Sequence, residues 1–518
     1  MTNKIYLIIL AAFSICINQY FGYRGVFPID SFLDFDSSFY VLSGNHPFKD
    51  YWLITGPLVS YIQSLFFIIF GINWFSYVLH ASLLNMAFAM FSFYFFSRIG
   101  LKNYYCFIYS LGVAILAYPP VGSPFVDHHA VIFSTMALYS LSLGFLYNKK
   151  LFWFLTPIFI SFSFFSKQIP SSYLTIFFII VIFIYFFIKR NQDKKGLVYL
   201  VFGTLFTLFL ITLVFFVNAI PIKNFFVQYI FYPMSLGDER IFRLNIDFNN
   251  IINQFKFIYI ACIPLLIGKF FLVRIKGKNF LQCEELYISF VLLGSIMIFI
   301  YSQLLTKNQI LIFFLIPIIT AYSHLYILKY FNKKYLIYFI LAIFIFSTTK
   351  YHIRFNHNKK FMELANADFN LAIDARQLDA RLSGLKWISP EFINNPQKEI
   401  DFLIDTKNIL SEMQKKRKII VTNYQFFSSF LNNQFTSPNK FYDNLSVPNK
   451  KNKYYKNYKD FFLKKIKIDK INYIYFIGNN MHKSDFFSEL TKENKCINVE
   501  EFNEFLIEFD ISKCEQVI

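Results

Sequence analysis

The chain has 518 residues, of which 56% are hydrophobic and 21% aromatic, with 72 Phe, 35 Tyr and a mean hydropathy of +0.42. Soluble domains run near 45–50% apolar, so the composition excludes an ordinary soluble protein and marks a polytopic membrane protein. The formal net charge of +19 comes from 51 Lys and Arg against 32 Asp and Glu; the bases gather in short clusters between apolar runs, as loop anchors do, and no patch interleaves them with aromatics as a nucleic-acid surface would.

Taken in order, the apolar segment Ile5 to Ile17 is followed by no small-x-small cleavage site and reads as a retained first helix. Further apolar runs of spanning length begin near Phe75, Tyr104, Ala130, Leu151, Pro170, Leu197, Phe257, Leu286, Ile310 and Leu336, which predicts about 11 transmembrane helices. A shorter run, Pro57 to Phe70, is expected to lie along the interface. Basic residues test that count. With Lys4 inside, every second connection carries a cluster: Arg98 and Lys102, Lys149 and Lys150, Lys189 to Lys195, Arg274 to Lys278, and Lys329 to Lys334. The positive-inside rule then puts the N-terminus in the cytoplasm and the first loop, residues 21–74, outside. The predicted fold is an α-helical polytopic membrane domain over 1–350 followed by an extracytoplasmic α/β domain over 351–518. In the latter, Ile400 to Met413 has helical apolar spacing, Ile419 to Val421 and Tyr473 to Ile477 read as strands, and Asn449 to Lys470, rich in Lys and Tyr, reads as a weakly ordered solvated segment. Of the six cysteines none forms a CxxC pair; Cys496 and Cys514 share the outer domain, where an oxidising compartment permits a disulfide.

The first outer loop holds four carboxylates, Asp30, Asp34, Asp36 and Asp50, in a region otherwise poor in acids. A second outer loop ends in Asp127, His128 and His129. Outward-facing bases run against the charge bias of the chain, which makes Lys49, Lys167, Arg240 and Lys307 candidates for holding an anion. Each has a plainer reading: Asp36 and Asp127 as helix caps, Lys167 as a snorkelling lysine, Arg240 as a partner of Asp238 and Glu239. Together they suit transfer of a sugar from a polyprenyl phosphate, in which a carboxylate takes the acceptor's proton and cations hold the departing phosphate.

The pattern Asp36-x-x-x-Tyr40, Gly44, Pro47-Phe48-Lys49-Asp50-Tyr51, Gly56-Pro57-Leu58 and Phe70-Gly71 resembles the first-loop signature of the C-type membrane glycosyltransferases, which include protein mannosyltransferases and lipid A aminoarabinose transferases. The resemblance covers about the first 240 residues and implies that Asp36 is the base, that Asp127 supports it, and that the second acid, adjacent in the commonest version, is here Asp34, leaving open which of the two acts. Beside the resemblance, the outward placement of the residues marks Lys167, Arg240, Lys49, Asp50, His128, His129 and Tyr40 as candidates for binding the donor phosphate or the substrate. No cofactor is required, though a divalent Mg or Mn ion is compatible with Asp34-x-Asp36 if that segment is extended. The expected partners are a polyprenyl-phosphate sugar donor, a lipid, glycan or protein acceptor and membrane lipid, with no nucleic acid. The expected location is a bacterial-type inner membrane. The alternatives are a transporter or flippase of lipid-linked sugars, for which the absence of an internal repeat is unfavourable, and a non-catalytic cell-envelope assembly protein.

Overall fold

A computed structural model describes residues 3–189, 194–242, 247–276, 283–306, 311–331, 333–413, 417–478 and 481–514. Its helical part comprises α1 (Asn3–Gly22), α2 (Pro28–Ser31), α3 (Phe35–Leu42), α4 (Leu58–Phe70), α5 (Trp74–Ile99), α6 (Asn103–Leu116), α7 (Val126–Tyr147), α8 (Lys150–Ser166), α9 (Gln168–Ile188), α10 (Lys195–Val217), α11 (Ile222–Phe225), α12 (Tyr232–Phe242), α13 (Gln254–Lys276), α14 (Glu284–Thr306), α15 (Leu315–Tyr326) and α16 (Lys334–Tyr351). Every apolar run found in the sequence falls on one of these helices. Eight helical stretches among the described residues are long and apolar enough to cross a membrane, while α6 and α8, at 14 and 17 residues, are shorter. A 13-residue helix rises about 20 Å against an apolar layer of about 30 Å, so α4 falls short of a span. The bundle turns apolar side chains outward: Phe183, Phe187, Phe209 and Phe216 are all more than half exposed. Its centre is α7, whose residues from Val126 to Phe145 are all buried.

After α16 the chain builds an α/β domain. A two-stranded pair, β1 (Ile373–Asp374) and β2 (Lys386–Trp387), precedes α17 (Pro396–Glu412), β3 (Lys418–Thr422), α18 (Phe427–Phe430), α19 (Tyr455–Ile468), β4 (Tyr473–Ile477), α20 (Asp485–Glu493), β5 (Asn498–Asn503) and β6 (Leu506–Asp510). The sheet order is β3-β4-β6-β5; β3 and β4 are parallel, and the other two pairs are antiparallel. Alternation along the strands sends Ile420, Tyr475 and Ile477 to one face, against Leu403 and Leu410 of α17, and Ile419, Ile474 and Phe476 to the other, against Phe462 of α19 and Phe487 of α20. The segment expected to be weakly ordered, 449–470, is instead mostly helix, 14 of its residues forming α19. Tyr458, Phe462 and Ile466 recur every four residues and are buried, which gives that Lys-rich stretch an apolar stripe. A disulfide joins Cys496 to Cys514 with a Cα separation of 5.5 Å.

The two parts share a core. Phe32 packs within 5.6 Å of Trp387 and 4.8 Å of Phe426, and Phe35 touches Phe430 as well as Phe67 and Tyr77. Trp52 is seated between Tyr232 of α12 and Tyr458 of α19. The α/β domain is thus docked on the first loop through buried aromatic rings, which carry large apolar areas.

Candidate active site

The carboxylates of the first loop divide by the partners that α2 and α3 give them. Asp34 stands at the cap position of α3 but does not cap it. Its Oδ1 accepts from Ser60 Oγ of α4 at 2.7 Å and from the Lys440 ammonium at 2.7 Å, with both charged side chains at most 1% exposed. Burial pulls the Lys440 ammonium below its usual range, against the pull of the Asp34 carboxylate. Asp36, in the first turn of α3, turns to the other domain. Its oxygens accept the Ser428 and Ser429 backbone N–H groups at 3.1 and 2.9 Å, and its own N–H donates to the Gln425 carbonyl at 2.9 Å. Burial lifts its carboxyl to about 6, with the two N–H donors opposing. Tyr40, one turn on, donates to Ser428 Oγ at 2.7 Å, and its phenol is raised by the same burial. Asp34 and Asp36 do not share a face toward one ion, and among the described residues no three His, Cys, Asp or Glu side chains converge as metal ligands. Space beside Asp36, Tyr40 and Tyr51 amounts to about 20 Å³, enough for one water and no substrate.

Asp30, on α2, is different. It makes no ion pair or hydrogen bond with a described side chain, and its carboxyl is pushed up to about 7 by burial, then by the Asp127 carboxylate, with Lys167 partly offsetting. Asp127 in turn receives the Lys167 ammonium on both oxygens, at 2.6 and 2.7 Å. Asp30 is therefore within electrostatic reach of the ion pair that the second loop and the end of α8 create.

The histidines lie beneath. His129 Nε2 meets His80 Nε2 at 2.9 Å, His80 Nδ1 meets Gln63 Oε1 at 3.0 Å, and His129 Nδ1 meets the Tyr118 hydroxyl at 2.6 Å. His129 Nδ1 also lies 3.1 Å from the Phe125 carbonyl, so Tyr118, His129, His80 and Gln63 form one buried polar chain anchored on the backbone that opens α7. His128 is buried against Tyr118 and Phe125, with neither ring nitrogen in hydrogen-bond geometry among the described residues. Lys49 is exposed and donates to the Asn218 carbonyl at the end of α10. Asp50 accepts the His46 N–H at 2.8 Å and lies 3.4 Å from Lys465 of α19. Arg240 belongs to α12, but its side chain is outside those described, and Lys307 lies outside the described residues altogether.

An apolar groove of about 280 Å³ runs between the first loop, α4, α8 and α10. Pro57, Phe162, Phe165, Ile211 and Phe215 line it. Among the described residues its lining carries no charged side chain; Lys49 and Lys167 follow the lining residues Phe48 and Phe165 in sequence but are held by the Asn218 carbonyl and by Asp127. The backbones close tightly there: the Gly56 N–H donates to the Ser166 carbonyl at 3.0 Å, and a Cβ at Gly56 would fall 1.9 Å from the Phe165 carbonyl oxygen. Gln168 fixes the same corner by donating to the Ile54 and Tyr229 carbonyls.

The sequence reading passed over two residues that the structure brings in. Asp30 was in view as the first acid of the loop, but nothing in its spacing distinguished it from the others. Lys440 lies 406 residues from its partner, and no local signal points to it.

No family model matches the chain, and no curated protein matches it. Among solved structures it is similar to the crystal structure of ArnT from Cupriavidus metallidurans bound to undecaprenyl phosphate, with 10% sequence identity, 97% of each chain covered and a TM-score of 0.39.

Proposed function

We propose that this chain is an inverting glycosyltransferase that moves a sugar from a polyprenyl-phosphate donor to an acceptor at the outer face of the membrane. The observation that carries this reading is the Asp30 carboxyl, which has no side-chain partner among the described residues and feels the charges of the Asp127–Lys167 pair, together with an apolar groove bounded by the same first loop and α8. The groove takes part of the polyprenyl tail, and Lys167 and Lys49 hold the phosphate. Asp30 takes the proton of the acceptor hydroxyl as that oxygen attacks the anomeric carbon. The bond from that carbon to the phosphate oxygen breaks in the same step, its electron pair leaves with the phosphate, and the cations stabilise the added charge. A single displacement inverts the anomeric centre. Asp127 positions Lys167. Asp34 and Asp36 hold the outer domain over the site, so the base is Asp30, one turn of chain before the acids that the family resemblance names. The first-loop motifs support the same reaction class, and the alternation of basic clusters supports an outward-facing site.

The test is transfer of radiolabelled sugar from a panel of polyprenyl-phosphate sugars by purified protein, with Asp30→Asn and Asp36→Asn alongside. Loss of turnover in folded Asp30→Asn is the expected result. Near-wild-type turnover in that variant removes Asp30 as base. Donor binding without turnover on lipid, glycan and protein acceptors points instead to a flippase.

A further inference from the structure

A second cavity, of about 150 Å³, lies between α2 and the α/β domain. It opens at the carboxyl ends of β3 and β4, where Asn423 and Gly478 leave the sheet's parallel pair. Crevices at the carboxyl ends of parallel strands are where open α/β sheets bind ligands. One wall is apolar, from Phe27, Pro28, Ile29 and Met481; the other is polar, from Ser389, Glu391, Asn423 and Tyr424. Glu399 forms part of the lining and is fully buried. Its Oε2 accepts from Trp387 Nε1 at 2.8 Å and from Ser389 Oγ at 2.6 Å, and its Oε1 accepts from the Tyr424 hydroxyl at 2.7 Å. These three donors hold Glu399 inside the wall, so it acts on the cavity through its charge, while Asn423 and Glu391 are the lining polar groups open to a ligand. Among the described residues no Lys, Arg or His lines the cavity, and Glu391 in its lining is exposed.

We infer that this cavity binds a neutral or amino-bearing saccharide, the acceptor unit of the transfer. The two-sided lining matches a pyranose, which shows C–H groups on one face and hydroxyl donors at its edge, and two carboxylates without a cation reject phosphate or carboxylate ligands. The apolar wall is α2 itself, so a sugar seated there sits beside the helix that carries Asp30. The acceptor role rests on the transferase reading; saccharide binding does not.

The experiment uses the full chain in nanodiscs, free of sugar-based detergent. Saturation-transfer NMR is recorded with methyl α-glucopyranoside, methyl glucosaminide and glucose 6-phosphate, and Trp387 fluorescence serves as a second readout. The expected result is saturable signal at millimolar ligand from the first two and none from the phosphate, weakened at least tenfold by Met481→Trp, which fills the cavity. The surface variant Glu391→Lys, which needs no repacking, is expected to turn the preference toward glucose 6-phosphate. Asp30→Asn keeps the binding. An absent signal, an unchanged one in Met481→Trp, or a wild-type preference for the phosphate overturns the inference. If transfer is found but Met481→Trp leaves the KM for acceptor unchanged, the cavity is not the acceptor site and the transferase reading stands. If binding behaves as expected but no donor is turned over, the saccharide site stands and the transferase reading falls.

Discussion

Asp30 and Asp36 are both drawn out of water, but only Asp36 receives hydrogen bonds in return. A carboxylate left unpaired under burial and beside another acid holds its proton up to near-neutral pH, which is what a general base working near pH 7 needs. Transfer by the wild type is therefore expected to rise with pH through a single ionisation near 7 and then level off, because Asp30 acts only when deprotonated; a profile flat from pH 5 to 8 contradicts the assignment. Stability runs the other way. An unfolded Asp titrates near 3.9, so the folded state binds this proton more tightly, and the stability present at low pH is lost as pH rises toward 7. Asp30→Asn should accordingly melt higher than wild type at pH 8, with little difference at pH 4, while losing transfer. Asp36→Asn should instead keep transfer per folded molecule within a few-fold of wild type. It gives up one of two accepted N–H bonds, at about 1–3 kcal/mol by thermal unfolding. That loss is expected to be largest at pH 4 and to shrink above pH 6, where the wild-type carboxyl, also raised by burial, becomes charged. Lys440→Met strands Asp34 in the core and should cost about 3–5 kcal/mol; adding Asp34→Asn should restore most of it.

At the scale of elements, hydrophobic period served where one element buries its own face and failed where burial is shared. The apolar runs gave the membrane helices, and the short β-branched and aromatic runs gave β3 and β4. Strand β5 escaped because it is a sheet edge with Val499, Glu500 and Glu501 exposed, so its sequence carries no buried alternation. Helix α19 escaped because its three buried apolar residues are diluted by lysines. The candidate site was legible as a loop, in that its acids, Asp127 and Lys167 were each singled out, but neither the pairing of Asp127 with Lys167 nor the division of labour among the acids was. That division depends on which side chains the docked domain presents, and Ser428, Ser429 and Lys440 carry no sign of their target in their own neighbourhood. The β5–β6 hairpin is tied by the Cys496–Cys514 bond across 18 residues of sequence. A loop of that size is worth about 3 kcal/mol in the chain-entropy account. Cys514→Ala, or reductant on wild type, should lower the melting of the outer domain by about that much, as followed by limited proteolysis after α17; an unchanged cleavage rate would show that the hairpin's packing alone secures it.

The whole molecule is a bundle with one elaborated end. The first loop, the second loop, the end of α8 and the α/β domain all meet there, and the basic clusters lie toward the other. The proposed topology, read from charge alternation, puts the elaborated end outside. In a background without native free cysteines, Lys451→Cys should react with a membrane-impermeant maleimide on intact cells, and Lys195→Cys only after permeabilisation. The reverse pattern would invert the topology and place the carboxylates in the cytoplasm.

The bonds that clamp the domain to the loop also set an order in time. Asp36 waits for Ser429 across 393 residues and Asp34 for Lys440 across 406. At about 5–20 residues per second, each acid emerges about 20–80 s before its partner is made. During that interval the membrane helices can insert, but the loop cannot close. A chain whose synthesis stops short of Ser428 therefore carries two open carboxylates where the finished protein has none, a mark of incompleteness that is erased only by the last fifth of translation.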